Sequence, residues 1–465
     1  MYTLLLIPMI AFTLISCKKD SDKRKVNNIE NLSNSLKNIK KNVYSSIDTV
    51  LSIKKTPTID KNKNTVFREL ENTINLKDYG VYGNGTDETK KIQAALIDAV
   101  GKTLYIPKQL GDFYFIRQLI IPSNIKIVCE KGVVFMGSDD LKQTIKDFEV
   151  MFRFENSENV IFDGNGATFQ MNKSNYSGEH NHIFMINGGK NISLKNINTE
   201  NSGGDGFYIG AYKTKENYSS NIKIENCKAN NSRRQGLSVI SVNKLRVNNS
   251  EFNGSNGADP QSGIDIEPSN SKAILKDILI TNTKANDNKK RGFVIDLQKL
   301  NASSDPIDIT LKNCVANNNM EGFSNRMFVG VQGTVNIENS IANNSKLSGF
   351  TEVNCLASSV RKNYSNCLAK DSYTYYKKAN NYKYRSGFYI LGTESKSGVI
   401  GNSHFIKCQS INSNGKDNDY GIVIDNGEIE FKNIKLTNFK TSNNKKGEVY
   451  YKREFNKNLR IENKL

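Results

Sequence analysis

The stretch ENCKANNSRRQGLSVISVNKLRV (225–247) runs straight into NNSEFNGSNGADPQSGIDIE (248–267), and the two halves share one plan. Asn226 and Asn249 are each followed by a small residue, Cys227 or Ser250, and a later glycine, Gly236 or Gly263, opens a short alternating run. The first element recurs as TNTKAND (281–287), KNCVANN (312–318), ENSIANN (338–344) and SNCLAKD (365–371), which aligns Asn282, Asn313, Asn339 and Asn366. The second recurs at Gly206, Gly236, Gly263, Gly292, Gly322, Gly349, Gly387 and Gly421, with spacings of 30, 27, 29, 30, 27, 38 and 34 residues. A repeat of this size, built from short β-runs with no second helical phase, predicts stacked β-coils.

Stacking fixes which side chains are buried. The residue after each glycine is large and apolar: Phe207, Leu237, Ile264, Phe293, Phe323, Phe350, Phe388 or Ile422. These point inward, and because side chains alternate along a strand the next residue points out. In GIDIE, Ile264 and Ile266 therefore face the core while Asp265 and Glu267 face away. The aligned asparagines are read as a turn ladder bonded coil to coil. Cys227, Cys314 and Cys367 occupy equivalent coil positions with Cys408 beside them, and no CxxC spacing is present, so buried free thiols are expected rather than disulfides or metal ligands.

Ahead of the repeats, NLKDYGVYGNGTDETKKIQAALIDAVGKTLYIPKQLGDFYFI (75–116) reads as a strand, a turn at Gly83-Asn84-Gly85, a helix capped by Thr86 or Asp87, and a strand at Thr103–Ile106. Ile92, Ala95, Leu96 and Ala99 share one face of that helix. This order of elements resembles the entry segment of the pectate lyase superfamily. The resemblance implies an all-β fold, a single-stranded right-handed parallel β-helix (solenoid) with an N-terminal capping helix, assigned here to residues 71–465.

The N-terminus has a different character. In MYTLLLIPMIAFTLISCKKD (1–20) an apolar stretch ends in Leu14-Ile15-Ser16-Cys17. It is too short to span a bilayer comfortably and resembles the lipobox of bacterial lipoprotein signal peptides. That implies a signal peptide at 1–16, lipidation of Cys17, and a location in the bacterial cell envelope, anchored to a membrane. Residues 17–70 are expected to be a polar, basic tether. Between 18 and 64 it carries 12 Lys/Arg against 5 Asp/Glu, a surplus of +7 out of a net +18, and Ile29, Leu32, Leu36, Ile39, Val43 and Ile47 trace an amphipathic helix. Basic residues beside a lipid anchor suit an anionic membrane face. No nucleic-acid partner is needed to explain the charge, and a monomer is expected.

The chemistry is expected on the glycine-opened sheet. Outward positions on neighbouring coils bring together Asp265, Glu267 and Asp296, with Asp205 on the same edge two coils away. Neighbouring strands lie about 4.8 Å apart, so these acids repel and their pKa values separate, as glycoside hydrolysis requires of its acid and its base or nucleophile. The estimated separations fit both retaining and inverting geometries. The sheet is also loosely similar to that of the polygalacturonase family. Asn201-Ser202-Gly203-Gly204-Asp205-Gly206 resembles its asparagine-threonine-aspartate-glycine motif, and RRQGLSVIS (233–241) resembles its glycine-histidine-glycine strand, with Gln235 in place of the histidine. The family's paired aspartates and arginine-x-lysine have no counterpart, so the resemblance implies the fold and the place of the groove.

Tyr208, Arg233, Arg234, Gln235, Arg291 and Arg326 are the expected substrate-binding residues. SYTYYKKANNYKYRSGFY (372–389) offers further tyrosines and lysines to a sugar. His180 and His182 read as a polar loop. No cofactor is expected, and no motif calls for Ca2+. Three readings stay open: a hydrolase of a polysaccharide, a lyase of a uronate-containing glycan, and a non-catalytic glycan-binding or adhesin scaffold.

Overall fold

A computed structural model describes residues 72–372, 383–393, 398–413, 418–425, 429–451 and 459–462. The signal peptide, lipidation of Cys17, the tether helix at 29–47 and most of the tyrosine-lysine loop lie outside the described residues.

The repeat becomes a β-solenoid. One face is a sheet of 12 strands, from Leu119–Ile120 to Gly447–Tyr451, in which spatial order follows chain order. Every pairing in it is parallel and in register, as in Ile264↔Phe293, Asp265↔Val294 and Ile266↔Ile295. A second face carries strands such as Leu275–Thr281 and Ile307–Lys312. Three-residue strands, among them Val315–Asn317 and Ile341–Asn343, form the third.

Each feature of the repeat has a mechanical role. The aligned asparagines sit in the left-handed region, Asn226 at φ 52°, Asn313 at 54° and Asn339 at 48°, a conformation that asparagine tolerates better than most residues. Their amides bond from coil to coil: Asn249 Nδ2 donates to Asn226 at 2.6 Å, Asn313 to Asn282 at 3.1 Å and Asn366 to Asn339 at 3.1 Å. The ladder breaks register once, where Asn282 donates to Asn248. The recurrent glycine and alanine are small because they meet, and a Cβ on Gly322 would fall 2.6 Å from that of Ala342.

The interior is filled by the residues after the glycines. Phe293, Phe323, Phe350 and Phe388 stack at centroid spacings of 4.8, 4.9 and 4.8 Å, one ring per coil. The six cysteines among the described residues are buried and free. At the N-terminal end, helix Thr89–Asp98 buries Ile92, Ala95 and Leu96. Asp87 Oδ1 accepts the Thr89 N–H at 2.9 Å, while Glu88 accepts the N–H groups of Tyr82 and Gly83.

One departure from the apolar interior was not expected. Two positions beyond each post-glycine residue, Ile266 and Ile295 are followed along the stack by Asn325 and Glu352, before Ile390 restores the pattern. Glu352, 2% exposed, accepts from Tyr364 Oη at 2.9 Å and Ser403 Oγ at 2.8 Å. The ammonium of Lys362, 0% exposed, lies 3.6 Å away and donates to Gly401 O at 2.6 Å.

Candidate active site

The outward side of the 12-stranded sheet carries the predicted acids, in two tiers. Asp205 and Asp265 are 0% and 2% exposed, whereas Glu267 and Asp296 are half-buried and reach solvent. Alternation along the strand sets the direction of Asp265 correctly but does not reveal that neighbouring side chains cover it.

Asp205 sits just before the strand Phe207–Gly210. It accepts the Gln235 backbone N–H at 3.1 Å and Ser238 Oγ at 2.7 Å, and Arg234 Nη1 stands 3.5 Å from its Oδ2. Burial still dominates and pushes its pKa up to about 6, against the opposing pull of Arg234. His182 lies 3.3 Å from the same oxygen, yet this is no ion pair. Its Nδ1 already accepts the Asp205 backbone N–H at 3.0 Å, which assigns the ring proton to Nε2, and burial holds its pKa well below the usual value. Gly204 admits this contact, since a Cβ there would lie 3.0 Å from Nδ1. Tyr208 stacks on the His182 ring at 4.8 Å, and burial pushes its phenol up to about 12.

Asp265 receives one donor, Gln235 Nε2 at 2.7 Å; its Oδ1 is buried without a hydrogen-bond partner. Burial first, and then the neighbouring charge of Glu267, push its pKa up to about 8. Glu267, two residues along, is raised as well, by burial and then by Asp296 on the next coil. Asp296 Oδ1 accepts the Gln298 N–H at 3.1 Å.

The basic residues divide. Arg234 joins the acids, with Glu179 3.4 Å from its Nε. Burial pulls its pKa down, but Asp205, Asp265, Glu179 and Glu267 outweigh this and leave it raised. Arg233 turns away, donating to the carbonyls of Ser177 and Gly178 at 2.8 and 3.0 Å. Arg291 and Arg326 converge on Glu321, at 3.0 and 3.5 Å. His182, expected in a polar loop, is instead buried beside Asp205 at 1% exposure, and neither Glu179 nor Glu321 is among the expected site residues. Glu321 carried a legible signal, standing immediately before Gly322 in the same outward column as Asp205 and Gln235. Among the described residues no cluster of His, Cys, Asp or Glu is arranged to hold a metal ion.

Neither a protein-family model nor a curated protein matches the sequence. Solved structures do. The catalytic unit of the GH87 α-1,3-glucanase of Streptomyces thermodiastaticus superposes with a TM-score of 0.61 at 12% identity, covering 84% of this chain and 68% of that one. The family 28 exopolygalacturonase of Yersinia enterocolitica gives 0.60 at 11% identity, covering 84% and 78%. The A-module of mannuronan C-5 epimerase AlgE4 from Azotobacter vinelandii gives 0.54 at 16%, covering 83% and 100%. At such identities the likeness shows the fold alone. The repeat predicts stacked β-coils and the resemblance implies their right-handed winding; the chain is a right-handed parallel β-helix.

Proposed function

We propose that this protein cleaves glycosidic bonds of a polysaccharide on the outward face of its 12-stranded sheet, held at a membrane surface by lipidation of Cys17. The observation that carries the reading is the pairing of two solvent-reaching carboxyls on neighbouring strands, Glu267 and Asp296, backed by the buried Asp265. Glu267, its pKa raised by burial and by Asp296, retains a proton to higher pH than an ordinary glutamate and donates it to the glycosidic oxygen. Asp296 serves as the base or nucleophile. Asp265, pushed up to about 8, is neutral at pH 7 and spares Glu267 a second adjacent anion. Arg234 positions the acids. The carbohydrate-active proteins that share the fold support the substrate class, though a shared fold does not fix the reaction.

Product release should be measured on a panel of α-1,3-glucan, polygalacturonate and polymannuronate. Glu267→Gln is expected to lower turnover by about 10²–10⁴-fold, and wild-type activity to fall as pH rises through a value above the ordinary glutamate 4.5. Full activity in Glu267→Gln overturns the assignment.

A product absorbing in the ultraviolet as an unsaturated sugar would select the lyase reading instead. That reading needs a cation to neutralise a uronate; Arg234, Arg291 and Arg326 are engaged by carboxylates, which leaves the exposed Lys299, whose charge is felt at Glu267. One observation favours a non-catalytic binder: Asp205 and Asp265 are closed off from solvent. Retention on a glycan without turnover would select it.

A further inference from the structure

Among the described residues nine large apolar side chains stand exposed, and five of them, Tyr82, Ile97, Val100, Leu110 and Ile120, fall between residues 82 and 120, at the N-terminal end of the solenoid. Three of the five share one flank. Helix Thr89–Asp98 turns Ile92, Ala95 and Leu96 inward, while Gln93, Ile97 and Val100 follow one another at helical spacing along its side and just past its end. Gln93 seals the free edge of the strand Leu119–Ile120: its Nε2 donates to Ile120 O at 2.9 Å and its Oε1 accepts the Ile120 N–H at 2.8 Å. Beyond that strand, Asn124 O accepts the Gly101 N–H at 2.6 Å. Residues 120–124 therefore run beside the helix, and Ile120, 41% exposed, joins the flank of Ile97 and Val100, at 59% and 45%. From 89 to 102 there are three lysines, Lys90, Lys91 and Lys102, and one acid, Asp98, whose Oδ2 already accepts from Tyr79 Oη at 2.7 Å. The chain enters the solenoid at this end, where Asn72 O accepts the Thr103 N–H at 3.3 Å, with residues 18–71 between it and Cys17.

We infer that this flank of the capping helix rests on the bilayer to which Cys17 is anchored, with Ile97, Val100 and Ile120 in the headgroup region and the lysines among anionic headgroups. The inference rests on the lipidation proposed above and adds the face that meets the membrane. Exposed aliphatic side chains rimmed by lysine are what an interfacial helix presents to a lipid surface. Attachment through Cys17 raises the local concentration of bilayer at this end of the solenoid, so a contact too weak to capture a free protein is occupied in the anchored one. A second copy of the chain is a poorer occupant, because a stable interface buries about 800 Å² on each side and three aliphatic side chains supply only part of that. The contact has a consequence for the acids. In the 12-stranded sheet Leu119–Ile120 is the first strand, and Asp265 and Asp296 lie five and six strands further on, about 24 and 29 Å away at 4.8 Å per strand. With the first coil down, the candidate active site is held that far above the membrane surface.

The test uses the full-length lipoprotein in vesicles of phosphatidylethanolamine and phosphatidylglycerol whose acyl chains carry a nitroxide quencher. A thiol-reactive fluorophore is placed at Val100→Cys or, as the control, at Ile341→Cys, an exposed aliphatic position on the third face. The native cysteines of the solenoid are buried, and acylation occupies Cys17. Quenching at position 100 is expected to exceed that at 341 severalfold. Adding Ile97→Glu should remove most of the excess while leaving flotation with the vesicles and the melting temperature unchanged, since position 97 is exposed and the acyl chains still hold the protein. Equal quenching at the two positions in protein that floats overturns the membrane-facing flank and leaves lipidation standing, and so does an excess at 100 that survives Ile97→Glu. Unlabelled Val100→Cys that crosslinks to itself, without excess quenching of the labelled form, assigns the flank to a second copy and also overturns it. Protein that does not float, its Cys17 free of acyl chains, overturns both readings.

Discussion

Glu352 and Asp265 are equally hidden from water, each 2% exposed, and they are provided for very differently. Glu352, inside the solenoid, has Tyr364, Ser403 and Lys362 on its two oxygens. Asp265, on the outer face, has Gln235 alone and an oxygen with no partner. A buried charge is tolerable when it is paired and hydrogen-bonded, and otherwise the group gives up its charge. The interior carboxyl is thus built as a fixed part of the scaffold. The exterior one is under-provided, and with Glu267 and Asp296 beside it the site holds a proton at a pH where an ordinary aspartate has lost it. A buried carboxyl oxygen without a partner is what separates Asp265 from Glu352.

The largest effect is expected from breaking the well-provided carboxyl. Glu352→Ala strands the Lys362 ammonium in the interior and should cost about 3–5 kcal/mol, read by denaturant unfolding; Glu352→Leu with Lys362→Met should recover most of it. A cost below about 1 kcal/mol would remove the contrast from the interior side.

Asp265→Asn should act in the opposite sense. With the folded pKa near 8 and an ordinary value of 3.8, the native state binds more protons than the unfolded chain between those values. Wild-type stability therefore falls as pH rises from about 4 to about 8. Asp205, with a folded value near 6, adds to this fall over the lower part of the range. Asp265→Asn should flatten the slope and be the more stable protein above pH 8, by on the order of a few kcal/mol. An unchanged slope would mean that Asp265 does not hold the proton.

Smaller effects calibrate these two. Asn339→Ala removes a ladder amide in a left-handed turn and should cost about 1–2 kcal/mol. Glu462→Gln breaks the exposed pair with Lys435, at side-chain exposures of 47% and 36%, and should leave the unfolding midpoint unchanged. Both are read by the same denaturant unfolding.

What could be read from the sequence was whatever repeats. The Asn ladder, the glycine-opened strands and the inward Phe column recur once per coil, so one phase fixes them all, and the same phase placed Asp265, Glu267 and Asp296 on adjoining strands. It also held an unread signal, since Glu352 stands three residues after Gly349, a position elsewhere apolar apart from Asn325. Cover and cross-coil partners were not legible. His182 stands in the same column as Asp205, since Phe184 pairs with Phe207, but Ile183 replaces the opening glycine of its coil and hides the phase, and Glu179 comes from the turn ahead of it. Alternation gives a side chain's direction but not what lies above it, which is why Asp265 read as exposed and is buried.

Isotope-edited infrared spectroscopy of the aspartate carboxyls, taken as wild type minus Asp265→Asn across pH 4–10, tests the central claim most directly. The account predicts a protonated carboxyl band at pH 7 that is absent from the variant and gives way to carboxylate as the pH passes about 8. A difference spectrum already wholly carboxylate at pH 6 would contradict it, and with it the division of labour between the buried acid and the pair that reaches solvent.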